Sequence, residues 1–261
     1  NVKAYAGAVP CIKGYDADRF LSLSDDGTLK LIGKDGATTD VADFKGAWTE
    51  RMDVHKNGSF AVAVGKHIHL WTKPEAEVKI LGPHDGTVND IYFAPDGMGI
   101  AAAHRDGVTL WAGPHFEPQP MRLPWKGAHL AVTVSADKRW IVSAMQEGAL
   151  HMWNVALKRD YQMRGYMGKP TAMAWSADKK WLATSGAEAA IIWPFDKMGP
   201  AGREPLQLGW SNSTLVTALA AHPRENVIAA GFADGAVVML DLVNKKAFSA
   251  TAPSGHLVTS M

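Results

Sequence analysis

Apolar and polar positions alternate along this chain in short runs, and each run ends in turn chemistry. Val88 to Phe93 alternates and then meets Pro95-Asp96-Gly97. Met98 to Ala103 is small and apolar and then meets Asp106-Gly107, after which Val108 to Trp111 ends on a large aromatic. Asp-Gly between alternating runs is a strong hairpin signal, because the turn needs positive φ, which Gly takes freely and Asp tolerates. The stretch from His84 to Trp111 therefore predicts a three-stranded antiparallel meander. So small a sheet cannot bury its faces alone and requires further copies. Helical periodicity is almost absent elsewhere, so the chain reads as all-β.

The copies are present. Ser135-Ala136-Asp137-Lys138-Arg139-Trp140 recurs 41 residues later as Ser176-Ala177-Asp178-Lys179-Lys180-Trp181. Trp71, Trp111, Trp153 and Trp193 each close a short strand, at spacings of 40, 42 and 40. A period near 41 in an all-β chain points to a β-propeller of four-stranded antiparallel blades. With strands lettered a to d outward, the first blade runs from Val9 to Val41 and the second from Glu50 to Leu81. The third runs from Val88 to Leu123, the fourth from Leu130 to Met163, the fifth from Thr171 to Leu208 and the sixth from Val216 to Thr251. Leu257 to Met261 reads as the start of a seventh strand a, and Asn1 to Tyr5 as a strand d. The expectation is six complete blades plus a partial seventh. Residues 1–261 then read as a single propeller domain lacking strands b and c of the last blade at its C-terminus. A six-bladed ring with two loose ends is the rival reading.

Composition narrows the function classes. The chain has 261 residues and a formal net charge of +1, so no bulk attraction to nucleic acid or anionic membrane is implied. Basic residues form no stripe interleaved with aromatics, which argues against nucleic acid. No apolar run approaches the roughly 20 residues that span a bilayer. The single cysteine, Cys11, rules out an internal disulfide framework and fits a reducing compartment, hence a cytoplasmic expectation. The start at Asn1 leaves open a removed N-terminal segment and, with it, a periplasmic propeller that partners an envelope complex.

The turn Asp, the strand-c Trp and the position of His84 together resemble the WD40-repeat family. Abundant Ala, Trp and Met are similar to the bacterial members. His84, Trp125 and Tyr166 fall on one position at period 41, so two copies carry another aromatic where the family prefers His. Ile32 and Leu240 stand where Trp is usual, the second blade has Gly65-Lys66 in place of a turn Asp, and Gly148 follows Glu147. The resemblance implies a hydrogen-bonded series of His, a strand-b Ser or Thr, Asp and Trp. Here His84, Asp106 and Trp111 could form it, but the strand-b partner is Ala102 or Ala103, which predicts an incomplete network. Trp71, Trp153 and Trp193 are read as structural with these three, and Trp140, Trp175 and Trp181 as core.

In this topology the b–c turns and d–a loops share one face. That face carries the candidate partner-binding residues: Arg105, Asp25, Gln146 and Glu188 in or beside b–c turns, and Trp48 and Trp210 around d–a loops. Aromatics and Arg are common interface anchors, though packing beneath a loop would suit Trp48 and Trp210 equally. The leading expectation is a non-catalytic, monomeric scaffold that binds a protein or peptide there, with no cofactor. The alternative is a propeller enzyme or metal-dependent hydrolase with a site at the central channel. His67 and His69 share one face of a strand, a spacing that can hold a metal, but no third ligand is fixed. No catalytic residue and no metal ligand set is assigned.

Overall fold

Asp26-Gly27, Asp35-Gly36, Asn57-Gly58, Asp96-Gly97 and Asp234-Gly235 each fold the chain back, and the flanking strands pair antiparallel. The computed structural model describes residues 5, 7–47, 49–113, 116, 119–196, 199–211 and 214–261. The described residues form two compact units, Asn1–Val134 and Ser135–Met261.

The first sheet of the first unit holds β1 (Cys11–Gly14), β2 (Arg19–Leu23), β3 (Thr28–Gly33) and β4 (Thr38–Asp43), in that order. The second holds β5 (Met52–Val54), β6 (Phe60–Val64), β7 (His67–Trp71) and β8 (Lys79–Leu81). In the second unit, β15 (Met173–Trp175), β16 (Trp181–Thr184), β17 (Ala190–Pro194) and β18 (Leu206–Leu208) form one sheet. Another is formed by β19 (Val216–Ala221), β20 (Val227–Phe232), β21 (Val237–Asp241) and β22 (Lys246–Thr251). All four are antiparallel meanders, the blade type that the period predicted.

The remaining strands depart from the expected count. β9 (Asp90–Phe93), β10 (Gly99–Ala112), β11 (Met121–Val134), β12 (Trp140–Met145), β13 (Ala149–Asn154) and β14 (Arg159–Met163) form one six-stranded sheet. Among the described residues the structure thus has five blades, not six complete blades plus a partial seventh. The cause is continuity of extended backbone. In β10, Ile100–Ala103 pair with β9 and Val108–Leu110 pair with β11, so the expected strands b and c are two arms of one hairpin. Its turn is Asp106 (φ 64°) and Gly107 (φ 150°), with a register shift between Arg105 and Gly107. A side chain at Gly107 would lie 2.5 Å from the Leu123 carbonyl, so the close approach of β11 requires glycine. β11 likewise joins the expected third strand d to the expected fourth strand a without interruption.

At the C-terminus, Leu257–Met261 form no strand, which corrects the expected seventh strand a. The segment is held by single contacts: the Val258 amide donates to the Phe232 carbonyl at 3.2 Å, and Thr217 Oγ1 donates to the Val258 carbonyl at 2.7 Å. Of the expected N-terminal strand, Asn1 to Ala4 lie outside the described residues, and Tyr5 is not in a strand.

The cores form where sheets face each other. Leu21, Leu23, Leu29 and Leu31 pack with Met52, Phe60, Val62 and Trp71 between the first two sheets. Ala183, Ala190 and Ile192 pack with Val216, Ile228, Phe232 and Leu240 between the last two. Middle strands are covered on both faces: β12 and β13 are buried at every position, whereas β22 is exposed at every position. This explains why middle strands read as continuous apolar runs and outer strands as polar ones. Trp140 and Trp175 are buried, each with its ring edge-on to Phe195, and Trp181 is half-buried against the last core.

Inner strands are tied across one repeat by side chains. Asp53 Oδ2 accepts from the Phe93 amide at 2.8 Å, and Asp90 Oδ2 from the Val132 amide at 2.9 Å. Asn89 Nδ2 donates to the His129 carbonyl at 2.8 Å, and Cys11 Sγ to the Met52 carbonyl at 3.8 Å. With Thr217 and Val258, these five links span 40 to 42 residues each. Burial pushes the Asp53 carboxyl above its ordinary range and the Asp90 carboxyl up to about 6.

Candidate interaction face

A loop face can present side chains in fixed positions only if its backbone is held. Here the b–c turns are docked on neighbouring d–a loops. In the first blade, the Phe44 amide donates to the Gly27 carbonyl at 2.8 Å. In the second, the His84 and Val88 amides donate to the Lys66 and Gly65 carbonyls. Asp106 Oδ1 accepts from the Gly127 amide at 3.0 Å. In the second unit, the Gly168 amide donates to the Gly186 carbonyl, the Ser211 amide to the Glu188 carbonyl and the Ser254 amide to the Asp234 carbonyl. A side chain at Gly186 (φ 86°) would lie 2.9 Å from the Lys169 backbone, so this approach also requires glycine. The sequence expectation that turns and loops share a face thus holds within each unit.

Beneath the turns, polar side chains lock the aromatic at the end of strand c. Trp111 Nε1 donates to His84 Nε2 at 3.0 Å. That nitrogen is therefore unprotonated, and His84 Nδ1 carries the hydrogen and donates to the Lys66 carbonyl at 2.8 Å. Both groups are buried, and burial holds the His84 pKa below its ordinary value. The network is incomplete as expected, with no strand-b hydroxyl between Trp111 and His84; the Lys66 carbonyl of the preceding b–c turn satisfies His84 Nδ1. Asp106 does not join this series; it serves the Gly127 amide and lies 3.6 Å from Arg105 Nε. His104 stands beside His84, donating from Nδ1 to the Arg105 carbonyl and accepting from Thr109 Oγ1 at 2.7 Å.

The fifth repeat reaches the same end with different chemistry. Trp193 Nε1 donates to the Tyr166 hydroxyl at 2.7 Å, which donates to Thr184 Oγ1 at 2.7 Å, which donates to the Ile191 carbonyl at 3.1 Å. Tyr166 thus does the work of His84 at the equivalent position, with a strand-b hydroxyl present. Its own hydroxyl is enclosed, and burial pushes its pKa up to about 12. Trp125, the third member of the series, is half-buried, and its carbonyl accepts from His129 Nε2 at 2.9 Å. Trp71 is buried and stacked on Phe60 at 5.1 Å, and Trp153 is buried beside the His151 ring at 4.5 Å.

Among the candidate contact residues, Arg105 has 81% of its side chain exposed and Trp210 is 62% exposed. Asp25 and Gln146 are exposed and Glu188 is half-buried. Trp48 lies outside the described residues. The structure brings Glu188 next to Trp210 through the bond from the Ser211 amide, and Arg105 next to Asp106. Sequence reading missed Asp85 and Arg122: Arg122 Nη1 donates to both Asp85 oxygens, at 2.9 and 2.7 Å, beside the Arg105 turn. The pair is 37 residues apart and carried no local signal. His69 sits with its ring edge-on to Phe44 at 5.3 Å. Among the described residues, no group of three His, Cys, Asp or Glu is placed to hold a metal ion. Among the described residues, no helix is long and apolar enough to cross a membrane.

Four-stranded antiparallel blades with docked turns and a Trp–His lock define a WD-type propeller repeat. Residues 75–109 match the family described as "WD domain, G-beta repeat". The chain thus contains a WD40 repeat, and the matched stretch includes β8, His84 and most of the β10 hairpin. No curated protein matches the chain. WD40 propellers are generally protein-interaction scaffolds and typically non-catalytic.

Proposed function

We propose that this protein is a non-catalytic scaffold that binds a protein or peptide on the face formed by its b–c turns and d–a loops. The observation that carries this reading is the repeated backbone bonding of turn to loop, from Gly27 and Phe44 in the first blade to Asp234 and Ser254 in the last. Loops held this way present Arg105, Gln146, Glu188 and Trp210 with little freedom to lose on binding, and rigid loops on a scaffold are where partners dock. Arg105 is the principal contact on the first unit and Trp210 on the second. The protein acts as a monomer in the cytoplasm, where the free thiol of Cys11 would stay reduced.

The test is affinity capture from source cells with the full chain, its Arg105→Glu variant and its Trp210→Ala variant. A partner held by the parent and lost from either variant supports this face. A partner held equally by all three removes it.

A further inference from the structure

Among the described tryptophans, Trp210 alone is exposed, at 62%. A large aromatic left in solvent on a docked loop is unusual, since tryptophan is highly buried on average. Its loop joins β18 to β19. On one side, the Ser211 amide donates to the Glu188 carbonyl at 2.8 Å, and the Val216 amide to the Ala187 carbonyl at 2.9 Å. On the other, the Ala233 amide donates to the Leu215 carbonyl at 3.0 Å, in the turn that carries Asp234. The loop is therefore bonded to two turns, each with a carboxylate: Glu188 beside the Trp210 end and Asp234 beside the Leu215 end. Among the described residues neither carboxylate is in an ion pair. Asp234 Oδ1 accepts only from the amide of its own turn, at Ala236. The loop next to the Glu188 turn carries two exposed cations, Arg164, which donates to Gln162, and Lys169, and among the described residues neither pairs with these carboxylates.

An aromatic face with anionic neighbours attracts a cation twice, through the ring quadrupole and through charge. We propose that Trp210, Glu188 and Asp234 receive a cationic side chain, arginine or lysine, of the partner. This rests on the interaction-face reading and gives it a chemistry: the partner segment is basic. Met167, 64% exposed in the loop beside the Glu188 turn, extends the contact to an apolar neighbour of that cation.

The experiment uses the full chain labelled with ¹⁵N at its tryptophan indoles. The Trp210 signal is identified by its loss in Trp210→Phe. The probe is an acetylated glycine–arginine repeat pentapeptide amide; its twin carries citrulline, which keeps the shape and removes the charge. The expected result is a saturable shift of the Trp210 signal with the arginine peptide and none with the citrulline peptide. Affinity should fall about two- to fivefold in Glu188→Gln, and again in the double variant with Asp234→Asn. Equal binding of the citrulline peptide, or an arginine response unchanged in both variants, overturns the proposal. A cellular partner lost on Arg105→Glu while Trp210 ignores the arginine peptide would sink the cation site and leave the face standing. A charge-dependent Trp210 response beside a partner held equally by all capture variants would do the reverse.

Discussion

Replacing Tyr166 by Phe tests the hydroxyl relay of the fifth repeat with almost no change of shape. The ring stays; one oxygen goes. Two hydrogen bonds are lost: Trp193 Nε1 loses its acceptor and Thr184 Oγ1 loses a donor, while Thr184 keeps its own bond to the Ile191 carbonyl. An orphaned donor in a buried setting costs about 1–3 kcal/mol. Trp193 is only half-buried, so water recovers part of that, and the expected loss is about 2 kcal/mol. This corresponds to a fall in melting temperature of roughly 4–8 °C for a chain of this size. Urea unfolding should show a lower midpoint at unchanged slope, because the surface exposed on unfolding stays the same. Trp193→Phe should lose less once Tyr166 is already Phe, with a coupling of about 1 kcal/mol. Burial of the Tyr166 hydroxyl also adds an alkaline dependence. Tyr166 in the folded protein holds its proton up to about 12 while the unfolded chain ionises near 10. Its contribution is therefore complete below pH 10 and is lost as pH rises toward 12. A midpoint within about 0.5 kcal/mol of the parent, or strict additivity with Trp193→Phe, would refute the relay.

Two further substitutions probe other parts of the frame. Trp111→Ala removes a buried indole and its bond to His84 and should destabilise by about 3–5 kcal/mol; an unchanged melting temperature contradicts that. Asp90→Asn keeps an acceptor for the Val132 amide but removes an ionisation that burial opposes. Folded Asp90 binds its proton up to about 6, the unfolded chain only to about 4, so the native side chain costs stability as pH rises between the two. The Asn variant should match the parent near pH 4 and exceed it at pH 7 by about 1–3 kcal/mol, since one pKa unit is about 1.4 kcal/mol. A gap that stays constant between pH 4 and 7 rules out this account of Asp90.

The strands were legible because turn chemistry and alternation are local. Asp26-Gly27, Asn57-Gly58 and Asp106-Gly107 sit at hairpin turns as expected, with Asp106 in the left-handed region. The blade count was not legible. Whether extended backbone is interrupted between Pro124 and Ala128 depends on the pairing of Arg105 with Ala128 and on the bond from the Gly127 amide to Asp106, both long-range. The equivalence of His84 and Tyr166 was visible at period 41, and both hold a Trp indole as that equivalence implies. The partner of His84 was invisible, because the Lys66 carbonyl is a backbone group that any residue carries. A signal for the inner-strand links did exist: Asp53, Asn89 and Asp90 are polar residues within or beside apolar strand-a runs.

These inner links explain how so degenerate a repeat can hold together. Two equivalent positions secure a Trp indole by different groups, His84 in one and Tyr166 in the other, and Leu240 in the last sheet has no indole to secure. What recurs instead is a side-chain bond from one inner strand to the backbone one repeat on, made by Cys11, Asp53, Asn89, Asp90 and Thr217 in turn. Carboxylate, amide, thiol and hydroxyl all serve, but every link ends on a main-chain amide or carbonyl. A bond to backbone constrains spacing and direction without constraining the residue at the receiving position. Sequence can therefore drift at the Trp and turn-Asp positions while the distance between repeats stays near 41. The outward-facing loops are then free to vary, and the specificity of this protein should reside in exposed loop residues such as Arg105 and Trp210.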